Sequence, residues 1–102
     1  MIPVIENNLT ELKHLCQSHK VKSMALFGSA ANGVYGEASD IDLLVQFIPE
    51  LDILDYADNY FQFLEKLEQL LGKKIDLVNV ASIKNPVLKS EVDRSKIELY
   101  AA

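Results

Sequence analysis

The chain reads as an α/β protein, a small mixed β-sheet packed with helices, and three observations predict it. Strand-length apolar runs at Val21 to Phe27, Asp40 to Phe47 and Ile75 to Val80 alternate with segments of helical periodicity. Gly or Pro punctuates several junctions between them, at Gly28, Pro49, Gly72 and Pro86. The 102 residues, 49% hydrophobic and 25% charged, contain no linker, repeat or low-complexity tract, so residues 1–102 are read as a single domain.

Each element has its own signal. Leu9, Leu12, Leu15, Cys16 and His19 recur at helical spacing, which predicts a helix from Asn8 to His19. Asn8 and Glu11 have the spacing of a capping box, and Pro3 offers an earlier start. Val21 to Phe27 is a strand ending at Gly28. The small residues Ser29-Ala30-Ala31-Asn32-Gly33 suit one or two helical turns, and Gly33 and Gly36 bracket a loop holding Tyr35.

Asp40 to Phe47 soon becomes apolar on both faces, as a central, doubly covered strand does. Asp52 to Leu71 reads as a long helix with Asp52 as N-cap and Gly72 as C-cap. It carries two apolar stripes. One is Leu54, Ala57, Phe61, Leu64 and Leu71; the other is Ile53, Tyr56, Tyr60, Phe63, Leu67 and Leu70. Together they are wider than a small sheet requires, so the second is read as a protein interface. Beyond Pro86 a last helix is expected to turn Val87, Leu88 and Val92 inward, before an extended end at Ile97 to Tyr100.

Composition excludes several functions. No apolar run approaches the roughly 20 residues that span a bilayer. The start, MIPVIENNLTEL, lacks the pattern of a secretory leader, so a cytoplasmic location is expected. The single cysteine, Cys16, forms no internal disulfide or thiolate cage and is read as packing. His14 and His19 are read as surface or helix-end residues. The net charge of −5 argues against broad nucleic-acid binding, which needs a basic face. It leaves room for one nucleotide if metal ions carry the positive charge.

The chemistry is concentrated in Gly28-Ser29, ten intervening residues, then Asp40-Ile41-Asp42. Gly28 lets backbone approach closely, Ser29 adds a hydroxyl, and a helix start there offers free N–H groups to phosphate. Asp40 and Asp42, two apart on a strand, point to one face with Cα atoms roughly 6.5–7 Å apart. Such carboxylates can converge on metal ions about 3.5–4 Å apart, and their hard oxygens suit Mg²⁺ or Mn²⁺. Asp76, early in the third strand, can complete the cage or take a proton from an acceptor hydroxyl. The pattern should arise by chance in about one chain in a thousand of this length. The plainer readings are a turn and cap for Gly28 and Ser29, a turn residue for Asp40, and pairing of Asp76 with Lys73 or Lys74. They leave Asp42 unexplained, because a carboxylate entering an apolar strand is costly unless paired or metal-bound.

Ala25-Leu26-Phe27-Gly28-Ser29 through Ser39-Asp40-Ile41-Asp42-Leu43-Leu44-Val45 resembles the signature of the minimal nucleotidyltransferases of the DNA polymerase β-like superfamily. Lys74-Ile75-Asp76-Leu77-Val78 matches the place of the family's third carboxylate, and Glu98-Leu99-Tyr100 its usual end. The resemblance implies a nucleotidyltransferase-like fold and transfer of a nucleoside monophosphate, AMP from ATP, with Mg²⁺ or Mn²⁺ held by Asp40, Asp42 and Asp76. Gly28, Ser29 and Asn32 would bind the nucleotide. Asn32 stands where the family commonly has an Arg, and so brings no charge to the phosphates. Similar proteins act as antitoxins that adenylylate a tyrosine of a HEPN-domain toxin. The resemblance therefore implies a HEPN partner supplying the acceptor, with homo- or hetero-oligomers. Two alternatives stand beside it: an antitoxin that neutralises by binding alone, and a small-molecule nucleotidyltransferase subunit.

Overall fold

In the computed structural model, the residues described are 2–28, 31 and 40–102. Ser29, Asn32 and Tyr35, with the loop around them, lie outside these. Pro3 at the first helical position starts a single turn, α1 (Pro3–Glu6). Next comes α2 (Leu9–Ser18), so the expected single helix from Asn8 is joined by a separate turn before it. The expected capping box is not formed. Asn8 makes no side-chain cap bond; its Nδ2 instead donates to the Val4 carbonyl at 2.8 Å, which ties α1 to α2.

The strands are β1 (Val21–Phe27), β2 (Ile41–Phe47), β3 (Ile75–Asn79) and β4 (Ile97–Ala101), in the sheet order β3-β2-β1-β4. β1 runs antiparallel to both β2 and β4, whereas β2 and β3 are parallel. The sheet is therefore mixed, as expected, with β2 interior and β3 at an edge. Parallel strands need a crossover, and α3 (Ile53–Leu71) provides it. Its boundaries follow from its caps. Asp52 Oδ1 accepts from the Asp55 N–H at 2.9 Å, and Gly72 closes the helix in the left-handed region at φ 65°. α4 (Pro86–Ser95) begins the same way, with Asn85 Oδ1 accepting from the Val87 N–H at 2.9 Å.

Two apolar layers cover the sheet. Ile41, Leu43, Val45, Ile75 and Leu77 pack with Leu12 and Cys16 of α2 and with Phe63, Leu67 and Leu71 of α3. Ala25 and Leu44 meet Val92 of α4 on the other side.

Three expectations are corrected. The second stripe of α3 is mainly core, with Phe63 and Leu67 fully buried, although its first member, Ile53, is exposed. Of the first stripe, Leu54 and Phe61 are exposed while Leu71 is buried. The reason is the direction in which α3 lies on the sheet, which a helical repeat cannot specify. In α4 only Val92 faces inward, while Val87 and Leu88 stay 70% and 52% exposed. His14 is exposed, and His19 sits at the end of α2 as its C-cap, but not at the surface, being only 2% exposed. Its Nδ1 donates to the Leu15 carbonyl at 2.8 Å and its Nε2 accepts from the Lys66 ammonium at 3.2 Å. With both nitrogens occupied, the ring packs against Phe63 as a satisfied interior residue.

Candidate active site

The Asp-rich end of the sheet is built by strand register. β1 and β2 pair Phe27 with Asp42, which puts Gly28 beside the Asp42 side chain. Gly28 has φ 69°, a conformation that only glycine adopts cheaply. A Cβ there would overlap Asp42 Oδ2 and lie 3.1 Å from its Cγ. Glycine is therefore needed at this position because the carboxylate rests against its backbone. The Gly28 carbonyl also accepts from the Ala31 N–H at 3.1 Å, so the chain turns directly after β1.

β2 and β3 pair Asp42 with Asp76 in parallel register. Paired positions of neighbouring strands share a face, and strand spacing of roughly 4.8 Å brings their side chains together. The Asp42 carboxyl is held above its ordinary pKa by burial first, then by the Asp76 charge and a hydrogen bond to Asp76, then by Asp40. Asp40 lies one residue ahead of β2, not within it, and is exposed. Asp76 is exposed at the sheet edge. Of the predicted site residues, Gly28, Asp42 and Asp76 are brought into one cluster, and Asp40 sits near enough to act on it by charge. Ser29 and Asn32 lie outside the described residues.

These carboxylates fit a divalent cation by the chemistry of the donor set. Burial first, and then the facing Asp76 carboxylate, make Asp42 resist ionisation, a cost that a cation between the two strands would offset. Among the described residues no group of three or more acidic, His or Cys side chains is already gathered closely enough to hold an ion.

One residue beside the cluster carries no motif. Tyr60 of α3 donates its hydroxyl to the Leu77 carbonyl at 2.6 Å, tying the helix to the edge strand next to Asp76. Its phenol is held above its ordinary pKa by burial, then by Tyr56 and Asp76. In sequence Tyr60 is merely one member of an apolar stripe. Only the antiparallel run of α3 along β3 reveals its role.

The sequence matches the nucleotidyltransferase domain family over residues 10–99. It is 39% identical over 97 residues to a Methanocaldococcus jannaschii protein provisionally named a protein adenylyltransferase, covering 87% of this chain and 95% of that one. It is 36% identical over 87 residues to the protein adenylyltransferase MntA of Thermococcus cleftensis, covering 84% of each. A solved toxin–antitoxin structure with AMP-PNP shares the fold at TM-score 0.71 and 27% identity, covering 93% of this chain and 74% of that one. No helix among the described residues is long and apolar enough to cross a membrane. The carboxylate pair on adjacent strands and the match across nearly the whole chain agree: this protein belongs to the nucleotidyltransferase domain family and is an enzyme of that class.

Proposed function

We propose that the protein transfers AMP from ATP to a tyrosine hydroxyl of a HEPN-type toxin and so acts as an antitoxin. The observation that carries this reading is the register that sets Asp42 against Asp76 beside Gly28. The names of the relatives supply the nucleotide and the kind of acceptor.

In this reading Asp40, Asp42 and Asp76 would hold Mg²⁺ or Mn²⁺, and the ion would supply positive charge to offset that of the triphosphate. Gly28, Ser29 and Asn32 would receive the phosphates. The acceptor oxygen attacks the α-phosphorus in line, and the bond to the bridging oxygen of pyrophosphate breaks. Asp76, exposed on the edge strand, takes the hydroxyl proton as the new P–O bond forms. Pyrophosphate leaves with the electron pair of the broken bond. The AMP moiety stays on the acceptor.

The test uses ATP labelled at the α-phosphate, Mg²⁺ and, as acceptor, the product of the neighbouring gene. Label is expected on that protein, and none with Asp42→Asn or Asp76→Asn. An unlabelled neighbour in a stable complex, with other triphosphates and Mn²⁺ also silent, would overturn transfer. A second reading, neutralisation by binding alone, is favoured by the exposed apolar residues of α3. It would be selected if Asp42→Asn still silenced the toxin.

A further inference from the structure

We infer that the exposed apolar residues of α3, Leu54 and Phe61 with the half-buried Ala57 between them, extended by Ile53, dock a basic amphipathic helix of the partner protein along the sheet edge that carries Asp76. The inference deepens the proposed function, and rests on it for the acceptor's identity but not for docking itself.

Ile53, Leu54 and Phe61 are 81%, 75% and 66% exposed, although they belong to the same helix as the buried Phe63, Leu67 and Leu71. Leu54, Ala57 and Phe61 follow one another at helical spacing on a face turned away from the core. Isolated exposed apolar residues are ordinary, but a continuous stripe marks a contact surface.

The stripe leads to the site. Tyr56 Oη accepts from Asn79 Nδ2 at 2.7 Å, while Tyr60 Oη donates to the carbonyl of Leu77. α3 therefore runs antiparallel to β3, and the stripe rises from the level of Asn79 toward that of Asp76. Phe61 is held edge-on against Tyr60, with ring centroids 5.3 Å apart. At the other end Ile53 opens on a cleft of about 380 Å³ shared with Phe47, Leu51 and Tyr56. A single large apolar side chain would anchor there, as interface hot spots do.

Charge selects the occupant. Asp58 and Glu65 lie four residues beyond Leu54 and Phe61, so each flanks the stripe on its solvent side. Asp55 adds a third exposed carboxylate, and the nearby Lys66 ammonium is engaged with His19. A second copy would bring the same acidic flank and a net charge of −5. A helix with apolar residues every third or fourth position, bordered by Lys or Arg, complements both the stripe and its flank.

The test is anisotropy of a labelled synthetic helix of about 18 residues, with a Leu stripe flanked by Lys. Its controls are a Glu-flanked twin and a shuffled peptide. The Lys-flanked peptide should bind at least about tenfold tighter than either control. Leu54→Glu/Phe61→Glu should weaken it by about tenfold or more, and Asp58→Lys/Glu65→Lys should reverse the preference for flank charge. All four positions are exposed, and a thermal melt checks that each variant folds. Asp42→Asn should bind the peptide unchanged, so a failure of transfer stays separate from a failure of docking. Equal binding of the Lys- and Glu-flanked peptides, or unchanged binding by Leu54→Glu/Phe61→Glu, would overturn the inference. So would self-association of the chain that the same double substitution abolishes, because the surface would then belong to a second copy.

Discussion

Asp42 and Asp76 face one another as partners across the parallel β2–β3 pair, and their mutual repulsion is a standing cost of the fold.

Asp42→Asn should therefore abolish nucleotide transfer and yet stabilise the metal-free protein, raising its Tm by about 2–5 °C in chelator. The sign follows from Asp42's raised folded pKa. Its contribution to stability is fully present below the ordinary carboxylate pKa and is lost as pH rises through the higher, folded value. The gap between variant and wild type should widen from pH 4 to pH 7, and Mg²⁺ should raise the wild-type Tm but not that of Asp42→Asn. Melts across pH, with and without Mg²⁺, measure all three. A variant less stable than wild type at pH 7 in chelator would contradict the repulsion.

Two glycines separate strain from function. Gly28 and Gly72 have nearly the same φ, 69° and 65°, but only Gly28 has a neighbour that a methyl group would strike. Gly72→Ala should cost about 1 kcal/mol from the left-handed conformation and leave transfer intact. Gly28→Ala should carry that cost and also displace Asp42, lowering transfer by about 100-fold or more. Urea unfolding and labelled-ATP assays on both variants make the comparison, and equal activities would disprove the placement of Asp42.

Tyr60→Phe removes the hydroxyl that holds the Leu77 carbonyl and keeps the ring. The expected loss is about 0.5–1.5 kcal/mol, since water at the sheet edge replaces only part of the bond. Hydrogen exchange of β3 amides should quicken more than that of β1. Unchanged protection in β3 would show that the edge strand does not depend on Tyr60.

Much of this could be read from residue order. The caps at Asp52 and Gly72, the strands at Val21 and Ile75, and the cluster of Gly28 with the aspartates were legible because each depends on local geometry or short spacing. What escaped depends on distant neighbours. His19 ends α2 as expected, but its burial escapes the sequence because its cover, Phe63 and Lys66, comes from a helix more than 40 residues later. The interface is expected on the stripe of Phe63 and Leu67, which is core, because periodicity gives the faces of a helix but not which one meets the sheet. Asn8 does stand at the N-cap of α2, and only the use of its side chain differs, since a separate α1 turn offers it the Val4 carbonyl instead.

Cys16 offers the last test, because its burial is complete and its neighbours are apolar. Burial pushes the thiol pKa up to about 12, so almost no thiolate exists at pH 8. Iodoacetamide should leave the folded protein unlabelled for hours and modify it quickly in denaturing urea. Cys16→Ser should cost about 1–3 kcal/mol, because the hydroxyl enters an apolar layer between α2 and the sheet. Cys16→Ala leaves only a small cavity and should cost less. The order of the two losses distinguishes a packing role from a reactive one. If Cys16 labelled readily at pH 8 while near-UV circular dichroism stayed native, the α2 layer would have to open far more often than its packing implies.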